Sequence, residues 1–302
     1  MASFHEDERA AQALAGHVLG DIPAIRPFMP DQHRTFFAGL RYLFVGAING
    51  EGWPIATVAS GPPGFVASPD PTRLSVAARL AEDDPAAPHL VAGRAVGLLG
   101  IDLSNRRRNR ANGTVEGRDA AGFTVRIAES FGNCPKYIQV REAEPLARPP
   151  GRAEPLARLD PAARAAITAA DTVFVGSRAR AGLSGGADLS HRGGRPGFVA
   201  VEGDSLRVPD FSGNRFFNTF GNLLGEPRAA LLVPDFGIGD LLVLQGEAEV
   251  DWTGRDAARF AGAERSWRFH VARGWRRPAA LPFRWSPPQP APQIAATGAW
   301  AD

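Results

Sequence analysis

The chain has 302 residues, enough for one large domain or two of ordinary size, and its 44% apolar and 22% charged residues are a globular composition that excludes a disordered chain. A net charge of +2 is too small to mark a nucleic-acid-binding protein, and a single cysteine, Cys134, excludes an intrachain disulfide. No run of about 18 apolar residues exists to span a membrane, and the acidic N-terminal stretch lacks the apolar core of a signal peptide, so a cytoplasmic protein is expected.

In chain order, Ala, Leu and Val at helical spacing predict a helix from Phe4 to Gly20, with Gly20 as its C-cap and Pro23 beyond it. A second short helix is expected from Asp31 through Phe36 and Phe37. Strands follow over 42–48 and 53–60, joined by the turn Asn49-Gly50-Glu51-Gly52. The stretches 74–78 and 95–103 read as further strands, with a helix after Asp84-Pro85 between them, and 113–116 with 122–127 reads as a hairpin. The hexapeptide Ala-Glu-Pro-Leu-Ala-Arg occurs at 143–148 and again at 153–158, too short a repeat to be a structural unit, so 143–159 reads as a linker. Asp160-Pro161 starts a helix over 162–170 that leads into a strand over 172–177. Beyond Phe269 the chain turns rich in Arg and Pro, and its tail is expected to wrap the surface without regular structure.

Four segments recur in order. Phe44-Val-Gly, Gly61-Pro-Pro-Gly-Phe-Val66, Leu74-Ser-Val and Arg94-Ala-Val-Gly-Leu-Leu correspond to Phe174-Val-Gly, Gly194-Arg-Pro-Gly-Phe-Val199, Leu206-Arg-Val and Arg228-Ala-Ala-Leu-Leu-Val. This predicts a tandem duplication. Many short strands with Gly and Pro turns favour small barrels over a parallel sheet, so the fold class expected is mainly β with flanking helices (α+β). The division is 1–142, N-terminal helices and first barrel; 143–159, linker; 160–276, second barrel; 277–302, tail.

The densest polar segment is 209–222, where a helix over 214–224 capped by Ser212 would place Asn214, Asn218 and Asn222 on one face. Free N–H groups at its start, with a hydroxyl and an arginine, would suit a phosphate; surface amides on a capped helix are the alternative. Ser190, His191 and Arg192 form a second group, and the first copy lacks the His-Arg pair, which suggests that only the second kept a site. Ser130-Phe-Gly-Asn-Cys-Pro-Lys holds the only lysine, Lys136, beside Cys134; a buried inert cysteine is the favoured reading. The four arginines of Asn105-Arg-Arg-Arg-Asn-Arg read as a solvated hairpin.

Together, Phe131-Gly-Asn-Cys-Pro-Lys-Tyr-Ile-Gln139, Ser190-His-Arg-Gly-Gly194 and Pro209-Asp-Phe-Ser-Gly-Asn-Arg-Phe-Phe-Asn-Thr219 resemble the pyridoxamine 5'-phosphate oxidase-related proteins, in their long two-barrel, flavin-nucleotide-binding branch. The resemblance runs from about Phe4 to Trp267. It implies tandem FMN-binding split β-barrels forming a covalent pseudo-dimer, monomeric or homodimeric, with FMN between the barrels. It also implies oxidoreductase activity on a small-molecule substrate or with a redox partner; from the charge and the lack of an apolar run, no nucleic-acid or membrane partner is expected. Carried over by position, Ser190, His191, Arg192, Asn214, Arg215, Asn218 and Thr219 would hold FMN, and Asn133, Cys134 and Lys136 would approach across the interface. The simpler oxidases of this fold carry a Ser-x-Lys pattern; here Thr219 stands where the lysine would be, and Arg215 would supply the charge. A non-catalytic protein that sequesters flavin or haem is the alternative function.

Overall fold

The computed structural model describes residues 4–20, 24–183 and 186–300; Pro23, expected just beyond the first helix, lies outside the described residues. Helices α1 (Glu6–Leu14) and α2 (Asp31–Ala38) precede strands β1 (Tyr42–Ile48), β2 (Pro54–Ser60), β3 (Val66–Ala67), β4 (Arg73–Val76), β5 (Ala95–Asp102), β6 (Arg107–Arg118) and β7 (Phe123–Gly132). Two short strands, β8 (Ala143–Pro145) and β9 (Glu154–Leu156), lie between the halves. The second half comprises α3 (Pro161–Ala169), β10 (Thr172–Arg178), β11 (Ala187–Gly193), β12 (Ala200–Glu202), β13 (Ser205–Phe211), α4 (Asn218–Gly225), β14 (Arg228–Asp235), β15 (Asp240–Asp251) and β16 (Ala263–Arg277), followed by β17 (Phe283–Trp285). The fold is mainly β with flanking helices, and no helix among the described residues is long and apolar enough to cross a membrane.

The two large sheets have one strand order. It is β2-β1-β5-β6-β7-β4-β3 in the first and β11-β10-β14-β15-β16-β13-β12 in the second, antiparallel at every pairing. Registers correspond as well: Phe44 pairs with Val58 and Leu99, and Phe174 pairs with His191 and Leu232. Both sheets curl into half-barrels that pack on each other. Equivalent elements meet reciprocally, β11 on β5 and β2 on β14, as across a two-fold axis. The equivalent rings of Phe44 and Phe174 stack on that axis, with centroids 3.8 Å apart. Strands β1 and β10 are therefore covered on both faces, which is why they read as continuous apolar runs rather than alternating ones.

Several expectations change. Helix α1 stops at Leu14, because Gly16, not Gly20, takes the left-handed conformation (φ 75°) that ends it. The expected helix after Asp84-Pro85 is one 3-10 turn, Ala87–His89, since Pro85 and Pro88 remove the N–H donors a longer helix needs. The expected hairpin over 113–127 is part of a longer one, β6 with β7, so the arginine cluster runs into a strand rather than forming a solvated loop. The two hexapeptide copies are not a bare spacer: each supplies an edge strand, β8 pairing with β17 and β9 with β16. The tail does wrap the molecule, but with regular structure, because its apolar residues find a surface. Phe283 and Trp285 pack edge-on against Tyr42 of the first half, at 5.6 and 5.2 Å between centroids.

Candidate functional site

An open cleft lies between the halves. Strand β11 supplies Ser190, His191 and Arg192, and the 209–220 segment supplies Asn214, Arg215, Phe217, Asn218 and Thr219. From the first half come Arg108 and Arg110 of β6 and Asn133, Lys136 and Tyr137 of the loop after β7. Nine of the ten residues singled out in the sequence thus meet here. The exception is Cys134, whose side chain does not line the cleft; its carbonyl accepts a hydrogen bond from Arg108 Nε at 2.8 Å.

The polar segment is built differently from the expected helix. Ser212 caps nothing, and α4 begins only at Asn218, after Arg215 and Phe217 both adopt left-handed backbone, φ 64° and 60°. Such residues cost about 1–3 kcal/mol each and persist only where their surroundings hold them. Here the holder is α1: Gln12 Nε2 donates to the Phe216 carbonyl (3.0 Å), and Asn218 Nδ2 donates to Glu8. Asn214 Oδ1 accepts from the Phe216 amide at 3.1 Å, fixing the turn. Asn222 turns away from the cleft; its Nδ2 donates to Ser177 Oγ at 3.0 Å.

Thr219 Oγ1 donates to Ser190 Oγ at 2.9 Å, which joins α4 to β11. Arg192 is paired with Asp210, and Arg110 with Asp188 at 3.0 Å. Arg108 has no carboxylate partner among the described residues. Its Nη1 donates to His191 Nδ1 (3.2 Å) and to the His191 carbonyl (3.3 Å). Arg108 keeps some surface toward the cleft, yet protein encloses it: desolvation first, then the nearby Arg110, lowers its pKa to about 9. His191 is held well below its usual value by burial, then by Arg108 and Arg192, so the imidazole is neutral. Because a guanidinium can only donate, Nδ1 is the acceptor and the ring proton sits on Nε2, which is buried and has no partner. Asn133 Oδ1 is likewise buried and unpartnered. Arg215 and Lys136 line the cleft without an ion pair among the described residues.

Sequence reading missed Arg108, Arg110 and Asn112. Their alternation in one strand, which puts all three on one face, was the available signal. It also missed the acidic groups behind them. Asn112 Nδ2 donates to Asp188 (3.1 Å) and weakly to Glu129 (3.4 Å). Burial, acting ahead of all other causes, raises Glu8 and Glu129 to about 7 each. A carboxyl raised in the folded state contributes stability that is complete below its unfolded pKa near 4.5 and is lost as pH climbs to about 7. Glu129→Gln is therefore expected to leave stability at pH 4 unchanged and to raise it at pH 8, by up to about 3 kcal/mol. Urea unfolding at the two pH values checks this; a parallel shift at both would rule it out.

No known family model matches the sequence, and no curated protein matches it. Similar solved structures include HupZ of Group A Streptococcus, 11% identical over 39% of this chain and 93% of that one, with a TM-score of 0.31. An FAD-binding protein of Mesorhizobium loti is 14% identical over 41% of this chain and 96% of that one, with a TM-score of 0.27. HutZ, the haem storage protein of Vibrio cholerae, is 10% identical over 39% of this chain and 93% of that one, also with a TM-score of 0.27.

Proposed function

We propose that this chain is a flavoprotein that holds FMN in the cleft between its halves and serves as an oxidoreductase, in keeping with its resemblance to the pyridoxamine 5'-phosphate oxidase-related proteins. The observation that carries the reading is Arg108, an enclosed guanidinium without a carboxylate, beside a neutral His191 whose Nε2–H is unpartnered. A cation so enclosed by protein is costly unless an anion completes it. The residues present fit a flavin nucleotide. Arg108, Arg215 and Lys136 are cations without carboxylate partners, suited to a phosphate. His191 Nε2–H is a free donor and Asn133 Oδ1 a free acceptor, and the pyrimidine edge of a flavin offers both carbonyls and an N–H. Bound flavin would supply the redox chemistry; the protein binds, orients and tunes it. The substrate or redox partner meets it from the open side of the cleft.

Haem sequestration fits less well. Iron ligation through His191 Nε2 would need the proton moved to Nδ1, where Arg108 already donates. Purification with added FMN is expected to give a visible flavin band and a rise in melting temperature; absence of both would sink the cofactor assignment. Bound flavin that no reductant and acceptor pair turns over would make the protein a flavin holder instead.

A further inference from the structure

Reciprocal packing of the halves creates a second, symmetry-related position for a cleft, between β2 and β15. The strand registers match the two residue by residue. Ser190, His191 and Arg192 of β11 correspond to Thr57, Val58 and Ala59 of β2. Arg108 and Arg110 of β6 correspond to Leu241 and Val243 of β15, and Asn133 to Arg277. Val58, Ala59, Leu241 and Val243 are all buried, in one core cluster with Leu281, Phe283 and Trp285 of the tail. Four of the five polar wall positions on β11 and β6 have thus become core.

The remaining polar groups are satisfied from within. Asp84 stands on the stretch between β4 and β5, in the place that α4 occupies between β13 and β14. Its side chain is fully buried. Oδ2 accepts from Thr57 Oγ1 and pairs with Arg277 Nη1 at 2.8 Å, and Arg277 Nη1 also donates to Thr57 Oγ1 at 2.7 Å. At the open cleft the counterpart of Thr57, Ser190, accepts from Thr219 of α4, and the counterpart of Arg277, Asn133, lines the cleft with a buried Oδ1 that lacks a partner. The Asp84 contact with Thr57 thus mirrors the Thr219 contact with Ser190, but it brings a carboxylate, which neutralises Arg277.

We propose that the second position is a closed copy of the site, in which apolar side chains fill the wall and the Asp84 carboxylate is a built-in anion for its guanidinium, Arg277. The chain then holds one ligand, and Arg277 with Thr57 forms a latent anion site that opens when Asp84 is removed. The one-ligand part rests on the FMN assignment; the latent anion site does not.

The test uses Asp84→Ala with inorganic phosphate as the probe. Phosphate is expected to raise the melting temperature of this variant by roughly 5 °C more than that of the parent chain. The extra shift should vanish in Asp84→Ala/Arg277→Met, where both charges are gone. No extra shift in a folded Asp84→Ala protein, or an extra shift that survives loss of Arg277, overturns the latent site. If Asp84→Ala does not fold alone, refolding with phosphate should recover it, and failure to do so while the double variant folds also overturns it. Flavin titration of the parent is expected to saturate at one per chain; two per chain refutes the closed copy while leaving the FMN assignment standing. No flavin binding with a phosphate-responsive Asp84→Ala variant has the opposite meaning.

Discussion

Arg108→Met is expected to weaken FMN binding by about 100-fold and to raise thermal stability. The two effects share one cause. Among the described residues Arg108 bonds only to two carbonyls and a neutral imidazole nitrogen, with Arg110 and Arg192 adding repulsion. Methionine keeps much of the stem's packing and removes the desolvated charge, and replacing buried charge by apolar groups is often stabilising by about 1–4 kcal/mol. The ligand loses a charge-assisted contact from an enclosed site, worth about 3 kcal/mol, hence about two orders of magnitude in affinity. Flavin fluorescence titration and thermal unfolding of the same preparation check both halves of the statement. Unchanged affinity would remove Arg108 as the anion receptor. A fall in stability would mean instead that its bond to the Cys134 carbonyl, which holds the loop after β7, outweighs the desolvation.

This opposition between stability and binding explains why the site is asymmetric. Two symmetric clefts would carry two sets of enclosed arginines. The second position instead has Leu241 and Val243 where the first has Arg108 and Arg110, and its one guanidinium, Arg277, is neutralised by Asp84. One half of the duplication stabilises the fold while the other keeps the costly groups.

The second-half side of the cleft was legible because its signals are local. Ser190-His-Arg and the 209–219 segment are contiguous, and their absence from the first copy is visible by comparing the halves. The first-half side was hidden by glycine. Gly113 looks like the start of a hairpin, but it sits at a β-bulge, where a Cβ would lie 1.9 Å from the Arg126 carbonyl oxygen, and the strand runs straight through it. Arg108 and Arg110 are therefore strand residues aimed at the other half, not loop residues in water. The roles of Glu8 and Gln12 were hidden for a different reason: they act on residues about 200 positions away, through the packing of α1 on α4. The hexapeptide copies and the tail likewise gain structure only from the edges and surfaces they reach. The tandem arrangement itself was readable from the order of short strands.

Gly97→Val is expected to destabilise the protein by about 3–5 kcal/mol and to abolish ligand binding, although Gly97 does not line the cleft. Gly97 pairs with Gly46 in the first sheet, and together they form a bare patch on which β11 lies. A Cβ at Gly97 would stand 2.8 Å from both the Ala187 carbonyl oxygen and the Asp188 Cα, backbone atoms that cannot rotate aside. Relief requires β11 to lift, and β11 carries Asp188 as well as Ser190, His191 and Arg192. Overpacking alone costs about 1–3 kcal/mol. Separating Asp188 from Arg110 and Asn112 leaves a buried charge without its partner, which can cost about 3–5 kcal/mol. Gly97→Ala should show a smaller version of both effects. The symmetry-related pairing places Gly176 opposite Ala230, and there a Cβ on Gly176 would come closest to the Ala230 methyl, at 3.3 Å, with Leu189 Cδ1 at an ordinary 3.6 Å. Gly176→Ala is thus expected to cost about 1 kcal/mol or less and to spare ligand binding. Urea unfolding and flavin titration of the two alanine variants side by side decide the matter. Equal, mild effects would show that the halves can slide past each other, and that the cleft does not depend on the close approach of β11 to β5.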